Sequence, residues 1–394
     1  MPAPEIFVSA CEVSGDLHAA ALLGELRRLR PDLQAWGVGG PRLAALGQRQ
    51  EAGIAELSLV GLTEVLPHLG GIIALLRRIK VELARRRPAL VLLVDSPDFN
   101  LRVATAARAL GLRVIYFITP QVWAWRRGRL RDIRRTVDLA LCILPFEEPF
   151  FRAAGVRAQY VGNPLVDLVR PSAPRAELRA RFGLDPARPT IALLPGSRRA
   201  EVRALLAALR GAALLLDARP ARPQFLVPAA SPSLRPLCER LAAAPLDTRL
   251  VDGQAWDCLA AADAAVVASG TATLEAALIG TPFVTVYRLS ALSHAIVRRL
   301  ARVRWASLPN LILGEPAVTE LLQDDCRPEK VAAAVRDLID DAATALRFRE
   351  KCGKVTGLLG QGGAPARAAA AVAREAGWLT DGTPEGGPVT MGRR

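Results

Sequence analysis

Residues 89–109 read ALVLLVDSPDFNLRVATAARA. The run 90–94 is apolar at every position, so it has no face to offer water, and a strand of that kind is buried on both sides, as in a parallel sheet covered by helices. The polar turn Asp95-Ser-Pro-Asp98 ends it, and an alanine-rich segment of helical period follows. The same alternation extends outward, with strands expected at 6–10, 114–118 and 139–144. After the proline-rich, charged stretch 171–177 it resumes, with strands near 190–194, 224–227, 264–268 and 283–287. The fold class is α/β, as two doubly wound parallel-sheet halves. The expected divisions are 1–168, 169–340, C-terminal helices over 341–378 that pack back on the first half or on a partner subunit, and a disordered tail over 379–394, rich in Gly, Pro and Thr. Two such halves joined by a linker place ligands beyond the carboxyl ends of their strands. The chemistry is therefore expected in the loops that leave those strands.

Composition agrees with this reading. A chain of 394 residues exceeds one ordinary core, and 51% hydrophobic with 23% charged residues excludes a disordered protein. The formal net charge is +14, and four of the 52 basic residues are lysine, which leaves 48 arginines. That excess fits either an acidic partner or a general arginine bias. The start lacks the basic n-region of a signal peptide, and no uncharged apolar stretch reaches the roughly 18 residues of a spanning helix. The six cysteines, at 11, 142, 238, 258, 326 and 352, form no CxxC or Cys/His spacing, so no disulfide framework or zinc site is expected. A reducing cytoplasm fits best.

Four strand-to-helix loops carry candidate chemistry. Ser14-Gly15-Asp16, after Cys11-Glu12, exposes amides at a helix start and suits an anion or sugar hydroxyl, or is a turn with Asp16 as N-cap. In Asp95-Ser-Pro-Asp98-Phe-Asn100, the carboxylate nearest the strand tip, Asp95, is the general-base candidate, and burial would raise the pKa of one of the pair. Asp98 or Asn100 caps the helix in the plainer reading. In the second half, Gly196 allows close backbone approach to a phosphate, Ser197 donates and Arg198 offers a planar fork, which together make a diphosphate seat. This is not a Walker loop. In Ser269-Gly270-Thr271-Ala-Thr273-Leu-Glu275 the hydroxyls suit phosphate oxygens and Glu275 suits a ribose, or completes a capping box.

Two stretches bear on partners. Residues 116–125 are aromatic and run into six arginines over 126–135, which raises RNA binding, although the helical spacing of Arg127, Arg131, Arg134 and Arg135 reads more simply as a solvated basic face. In 57–87 the apolar group Val60, Leu62, Val65, Leu66, Leu69, Ile72 and Ile73 is followed at once by Arg77, Arg78, Lys80 and 85–87, an arrangement that seats a protein on an anionic leaflet or fills a core. His68 among them reads as structural.

Taken together, CEVSGD (11–16), GVGGPRLAALG (37–47), LSLVGLTEVLPHL (57–69), VDSPDFN (94–100), TPQVWAWRRGR (119–129), LPFEEPFF (144–151), VGNPLVD (161–167), LLPGSRRAEV (193–202), ASGTATLEAAL (268–278) and SLPNLILG with ELLQDDC (307–326) resemble the lipid-A-disaccharide synthase family, in the family's order. The resemblance implies a GT-B fold, with two Rossmann-like domains facing across a cleft. The implied enzyme is an inverting glycosyltransferase that joins UDP-2,3-diacylglucosamine to 2,3-diacylglucosamine 1-phosphate (lipid X) and releases UDP. It also implies Asp95 as base, Arg198 at UDP, Glu275 on the ribose, Asn310 near the nucleotide and the 57–87 region at the inner-membrane surface. Joined with the reading of the loops, the expected set is Glu12, Ser14, Gly15, Asp98, Asn100 and Gln121 around the sugar substrates and Gly196, Ser197, Arg198, Ser269, Gly270, Thr271, Thr273, Glu275 and Asn310 around UDP. No cofactor or metal is expected, no nucleic-acid partner, and a homodimer is in keeping with the family. Cys11, and Asn163 where many members have His, depart from the pattern. The alternatives are another GT-B enzyme acting on UDP-N-acetylglucosamine and a non-catalytic RNA- or membrane-binding protein.

Overall fold

The computed structural model describes residues 3–53, 65–124, 128–289 and 304–379, with only the backbone described at Val13 and 65–69. The chain forms two units, one built from the segment up to Pro164 together with that from Gln361 onward, the other from Leu165–Gly360. The second unit is thus an insertion, and the chain crosses twice. The expected C-terminal block 341–378 divides at the second crossing: helix Ala342–Leu359 belongs to the second unit and helix Ala364–Glu375 to the first.

The first unit holds seven parallel strands in the order β3-β2-β1-β4-β5-β6-β7: β1 Glu5–Ala10, β2 Gln34–Gly39, β3 Arg49–Gly53, β4 Leu90–Val94, β5 Val114–Phe117, β6 Leu139–Cys142 and β7 Ala158–Tyr160. Every residue of β4 is buried. Val91 and Leu93 face Phe7, Trp36 and the helices Val65–Arg86 and Pro97–Ala109, while Leu90, Leu92 and Val94 face helices Val13–Leu29 and Ala364–Glu375. Each such side chain contributes on the order of 2 kcal/mol of burial free energy.

The second unit holds six parallel strands in the order β10-β9-β8-β11-β12-β13: β8 Thr190–Leu194, β9 Gln224–Ala229, β10 Thr248–Asp252, β11 Ala264–Ala268, β12 Phe283–Tyr287 and β13 Glu320–Leu322. In both sheets the order reverses beside the first-formed central strand, so β1 lies next to β4 and β8 next to β11. The loops after those strands lie side by side at the carboxyl edge, the switch point of such a sheet. All six cysteines are buried and unbridged.

Candidate active site

In the first unit the decisive turn follows β4. Asp95 and Ser96 both adopt left-handed backbone angles, φ 52° and 48°, which costs a non-glycine residue about 1–3 kcal/mol unless its surroundings hold it. Here they do. Asn100, fully buried one turn into helix Pro97–Ala109, donates to the carbonyls of Asp95 (2.8 Å), Val94 (3.1 Å) and Ser9 (3.4 Å), and accepts from the Ser9 hydroxyl at 2.6 Å. The Tyr116 hydroxyl donates to the Asp95 carbonyl at 2.7 Å, and the Asp95 amide donates to Phe117 at 3.2 Å. Burial, with the Asp95 charge adding to it, pushes the Tyr116 phenol well above its ordinary range and keeps it a donor. The Asp95 side chain is half-buried at the end of the strand.

Several expectations change here. Asn100 has its polar atoms engaged with the chain and fixes the peptide of Asp95. Asp98 is exposed and pairs with Arg129, and neither residue caps the helix through its side chain. Ser14, Gly15 and Asp16 form no loop: the helix begins at Val13, with Glu12 as the exposed N-cap. Asp16 is buried and caps the neighbouring helix Pro41–Ala45, accepting from the amides of Gly40 (2.9 Å), Arg42 (3.0 Å) and Leu43 (3.2 Å). Gln121 is exposed beyond β5, while Trp123 beside it is buried, with its indole N–H on Glu147 at 3.0 Å and its ring edge-to-face with Phe146.

In the second unit glycines make the turns. Gly196, φ 110°, follows β8, and a Cβ there would meet the Glu201 carboxylate at 2.9 Å. Arg198 is the N-cap of helix Arg199–Asp217, and Glu201 accepts its amide at 3.4 Å. Ser197 and Arg198 are exposed, the latter with its guanidinium 3.4 Å from Glu201. After β11, Gly270 (φ 140°) precedes helix Thr271–Ile279 with Thr271 exposed at its start. Burial raises the Glu275 carboxyl above its ordinary range, the Trp256 side chain opposing it, and no side chain caps the helix start.

Three residues expected at the nucleotide are committed to the chain. The Ser269 hydroxyl donates to the Ala306 carbonyl (2.8 Å), and the Thr273 hydroxyl donates to Gly270 (2.7 Å) and accepts from the Leu308 amide (3.3 Å). Asn310, fully buried, accepts from the amides of Ala317 and Val318 (2.8 Å each) and donates to the Val318 carbonyl (2.9 Å) and Glu320 (2.8 Å). Glu320 also takes the amides of Ala306 and Ser307 (2.9 Å each) and the Ser307 hydroxyl (2.7 Å). Sequence reasoning gave Glu320 and Glu147 no role of their own, and weighed Tyr116 and Trp123 only within an aromatic, arginine-rich patch that raises RNA binding. The available signal was a carboxylate or aromatic at a strand end inside an otherwise apolar run.

Of the lipid-facing set, Val60 and Leu62 lie outside the described residues, as do the side chains of Val65, Leu66 and Leu69. Ile72 is partly buried and packs against the core that holds Leu75 and Ile79, as the helical period of Val65–Arg86 requires. Ile73, Arg77 and Arg78 are exposed. No helix among the described residues is long and apolar enough to cross a membrane. Arg131, Arg134 and Arg135 are exposed on helix Arg129–Thr136.

The family model described as lipid-A-disaccharide synthetase matches residues 6–373. The lipid-A-disaccharide synthase of Anaeromyxobacter dehalogenans (strain 2CP-C) is 46% identical over 367 residues, covering 93% of this chain and 96% of its own. That of Myxococcus xanthus (strain DK1622) is 45% identical over 370 residues, covering 94% and 97%. Among solved structures, the S. aureus MnaA-UDP co-structure superposes with a TM-score of 0.69 at 12% identity, covering 98% of this chain and 100% of its own. CalG4, the calicheamicin glycosyltransferase, does so with a TM-score of 0.59 at 17% identity, covering 96% and 99%. At those identities the structural likeness concerns the fold, which is GT-B.

Proposed function

The chain belongs to the lipid-A-disaccharide synthase family and is a glycosyltransferase, and from that premise we propose that it joins UDP-2,3-diacylglucosamine to 2,3-diacylglucosamine 1-phosphate. The product is the β-1,6-linked disaccharide 1-phosphate. Asp95 takes the proton of the acceptor 6-hydroxyl as that oxygen attacks the donor's anomeric carbon, and the bond from that carbon to the UDP oxygen breaks on the opposite face, its electron pair leaving with UDP. The configuration inverts. The observation that carries this reading is the strained turn that sets Asp95 at the tip of β4, which Asn100 and Tyr116 hold through the Asp95 carbonyl.

The leaving group needs positive potential. Gly196 and Ser197 bring backbone and hydroxyl to the N-terminus of helix Arg199–Asp217, and Arg198 exchanges its exposed pairing with Glu201 for the diphosphate. Thr271 adds a hydroxyl, and Glu275 receives the ribose hydroxyls. Ser269, Thr273 and Asn310 shape this seat from behind it. Around the acceptor, Glu12, Ser14 and Gln121 offer exposed polar groups beyond β1 and β5, and Gly15 keeps the helix start narrow. Ile73 and Arg77, one turn apart, lie along one exposed surface of helix Val65–Arg86 suited to an anionic leaflet, with the exposed Arg78 on its flank beside Glu51, which would keep a cytoplasmic enzyme peripheral on the inner membrane beside its lipid substrates.

Purified protein given both acylated sugars should release UDP and form the disaccharide, and withholding either sugar should stop it. Equal turnover of UDP-N-acetylglucosamine without acyl chains would replace the proposed substrates, and no UDP release with both lipids would end the reading.

A further inference from the structure

Glu147 is 1% exposed, and the transfer as described makes no use of it. One carboxylate oxygen accepts the Trp123 indole N–H at 3.0 Å, and the other accepts the amides of Ile143 (3.1 Å) and Leu144 (3.0 Å). The Ile143 carbonyl in turn receives the Asn163 amide at 3.2 Å. Strand β5 lies between β4 and β6, with Phe117 opposite both Val94 and Leu141. Segment 118–124 therefore leaves the sheet between the strand that ends at Asp95 and the strand that leads to Glu147. It turns at once, with Ile118 at φ 57°.

We infer that Glu147 is a positioning residue for the glycosyl transfer: by binding the Trp123 indole and the 143–144 turn together, it fixes segment 119–124 beside the turn that carries Asp95. This rests on the role proposed for Asp95. Gln121 lies within the fixed segment, and a reacting geometry displaced by about 1 Å can cost up to a hundredfold in rate.

The protonation of Glu147 sets the strength of this link. Burial pushes its carboxyl up to about 7, and the bonds from Trp123 and the two amides oppose that rise. The Thr119 hydroxyl is buried close by without a hydrogen-bond partner among the described residues, the Cys142 thiol and Tyr160 lie within range of the Glu147 charge, and the further charges acting on those two are Glu148, paired with Arg152, and Arg367. An ionised carboxylate accepts all three N–H groups. A protonated one must turn its own hydrogen toward an acceptor, which weakens at least one of them.

The test compares wild-type protein with Glu147→Gln and Trp123→Phe, using UDP release from the two acylated sugars and the indole N–H resonances of ¹⁵N-tryptophan-labelled protein. In Glu147→Gln the side-chain NH2 faces either the indole N–H or the two backbone amides, and in Trp123→Phe the donor is gone. Each variant should lower kcat about tenfold with KM for the acceptor changed less than about threefold. The Trp123 resonance, identified by its loss in Trp123→Phe, should move with a midpoint near the value of about 7 in wild type and stay still in Glu147→Gln. Values of kcat within about twofold of wild type in both variants overturn the inference, as does a Trp123 resonance that titrates alike with and without Glu147. If Glu147→Gln does not fold, the kcat of Trp123→Phe decides. If wild-type protein releases no UDP, the proposed function fails, and the resonance alone decides whether Glu147 holds Trp123.

Discussion

The turn after β4 and the turns after β8 and β11 solve one geometric problem in opposite ways. All three bend sharply between strand and helix, and all three need a positive φ: 52° and 48° at Asp95 and Ser96, 110° at Gly196, 140° at Gly270. The second unit assigns the bend to glycine, which removes the strain and leaves bare backbone for an anion to approach. The first unit keeps a side chain at the bend and restrains it with buried hydrogen bonds from Asn100 and Tyr116. Where the function proposed for a turn needs only amides, glycine suffices. Where it needs a carboxylate, the strain stays and the neighbours carry it.

The sharpest way to break this contrast is Asp95→Asn, which keeps size and backbone but removes the base. Turnover should fall by about 10²–10⁴ with UDP affinity within about twofold, measured by UDP release and by titration with UDP. Near-normal turnover would leave the strained turn without a purpose. Next comes Asn100→Ala, which takes the 2.6 Å acceptor from the Ser9 hydroxyl and one donor from each of three carbonyls, of which that of Asp95 keeps Tyr116; unfolding in denaturant should show a loss of about 2–3 kcal/mol, with kcat reduced as well. A stability loss with unchanged kcat would make Asn100 a core residue only. For Gly196→Ala the added Cβ meets Glu201 at a φ alanine avoids, so about 1–3 kcal/mol of stability and some tenfold of UDP affinity should be lost. The smallest effect has the opposite sign. Ser96→Gly removes a left-handed serine and a buried hydroxyl that has no partner among the described residues, so the midpoint of denaturation should rise by the equivalent of about 0.5–1 kcal/mol. A fall would show that Ser96 is not strained.

The sequence made the central strands legible because β1, β4, β8 and β11 are apolar at nearly every position, and burial on both faces writes itself into consecutive residues. It concealed β2, β3, β7, β10 and β13. In β2 a glycine at φ 142° interrupts the run where the backbone of Val8 comes too close for any side chain, and β3 carries Arg49 and Glu51 at an open sheet edge. At the site, the position of Asp95 at a strand tip was readable from the apolar run before it. The duties of Asn100, Ser269, Thr273 and Asn310 were not, because a polar side chain that binds a ligand and one that binds a carbonyl far away in sequence look alike until the fold shows the carbonyl. Asp16 is the clearest example: its acidity near a helix start suggested its own cap, and its partners lie 24 to 27 residues ahead.

The insertion of Leu165–Gly360 into the other unit also sets an order of assembly. Ala19, Leu22, Leu23 and Leu26 on the first long helix share a core with Ala368, Ala369 and Val372 on the last. During synthesis the inserted unit is complete once residue 360 has emerged, whereas the opening helix keeps that apolar face uncovered until nearly the whole chain has been made. Domains ordinarily finish in the order they are translated. Here the half that begins first closes last, and until then the apolar face of its opening helix stands open to water.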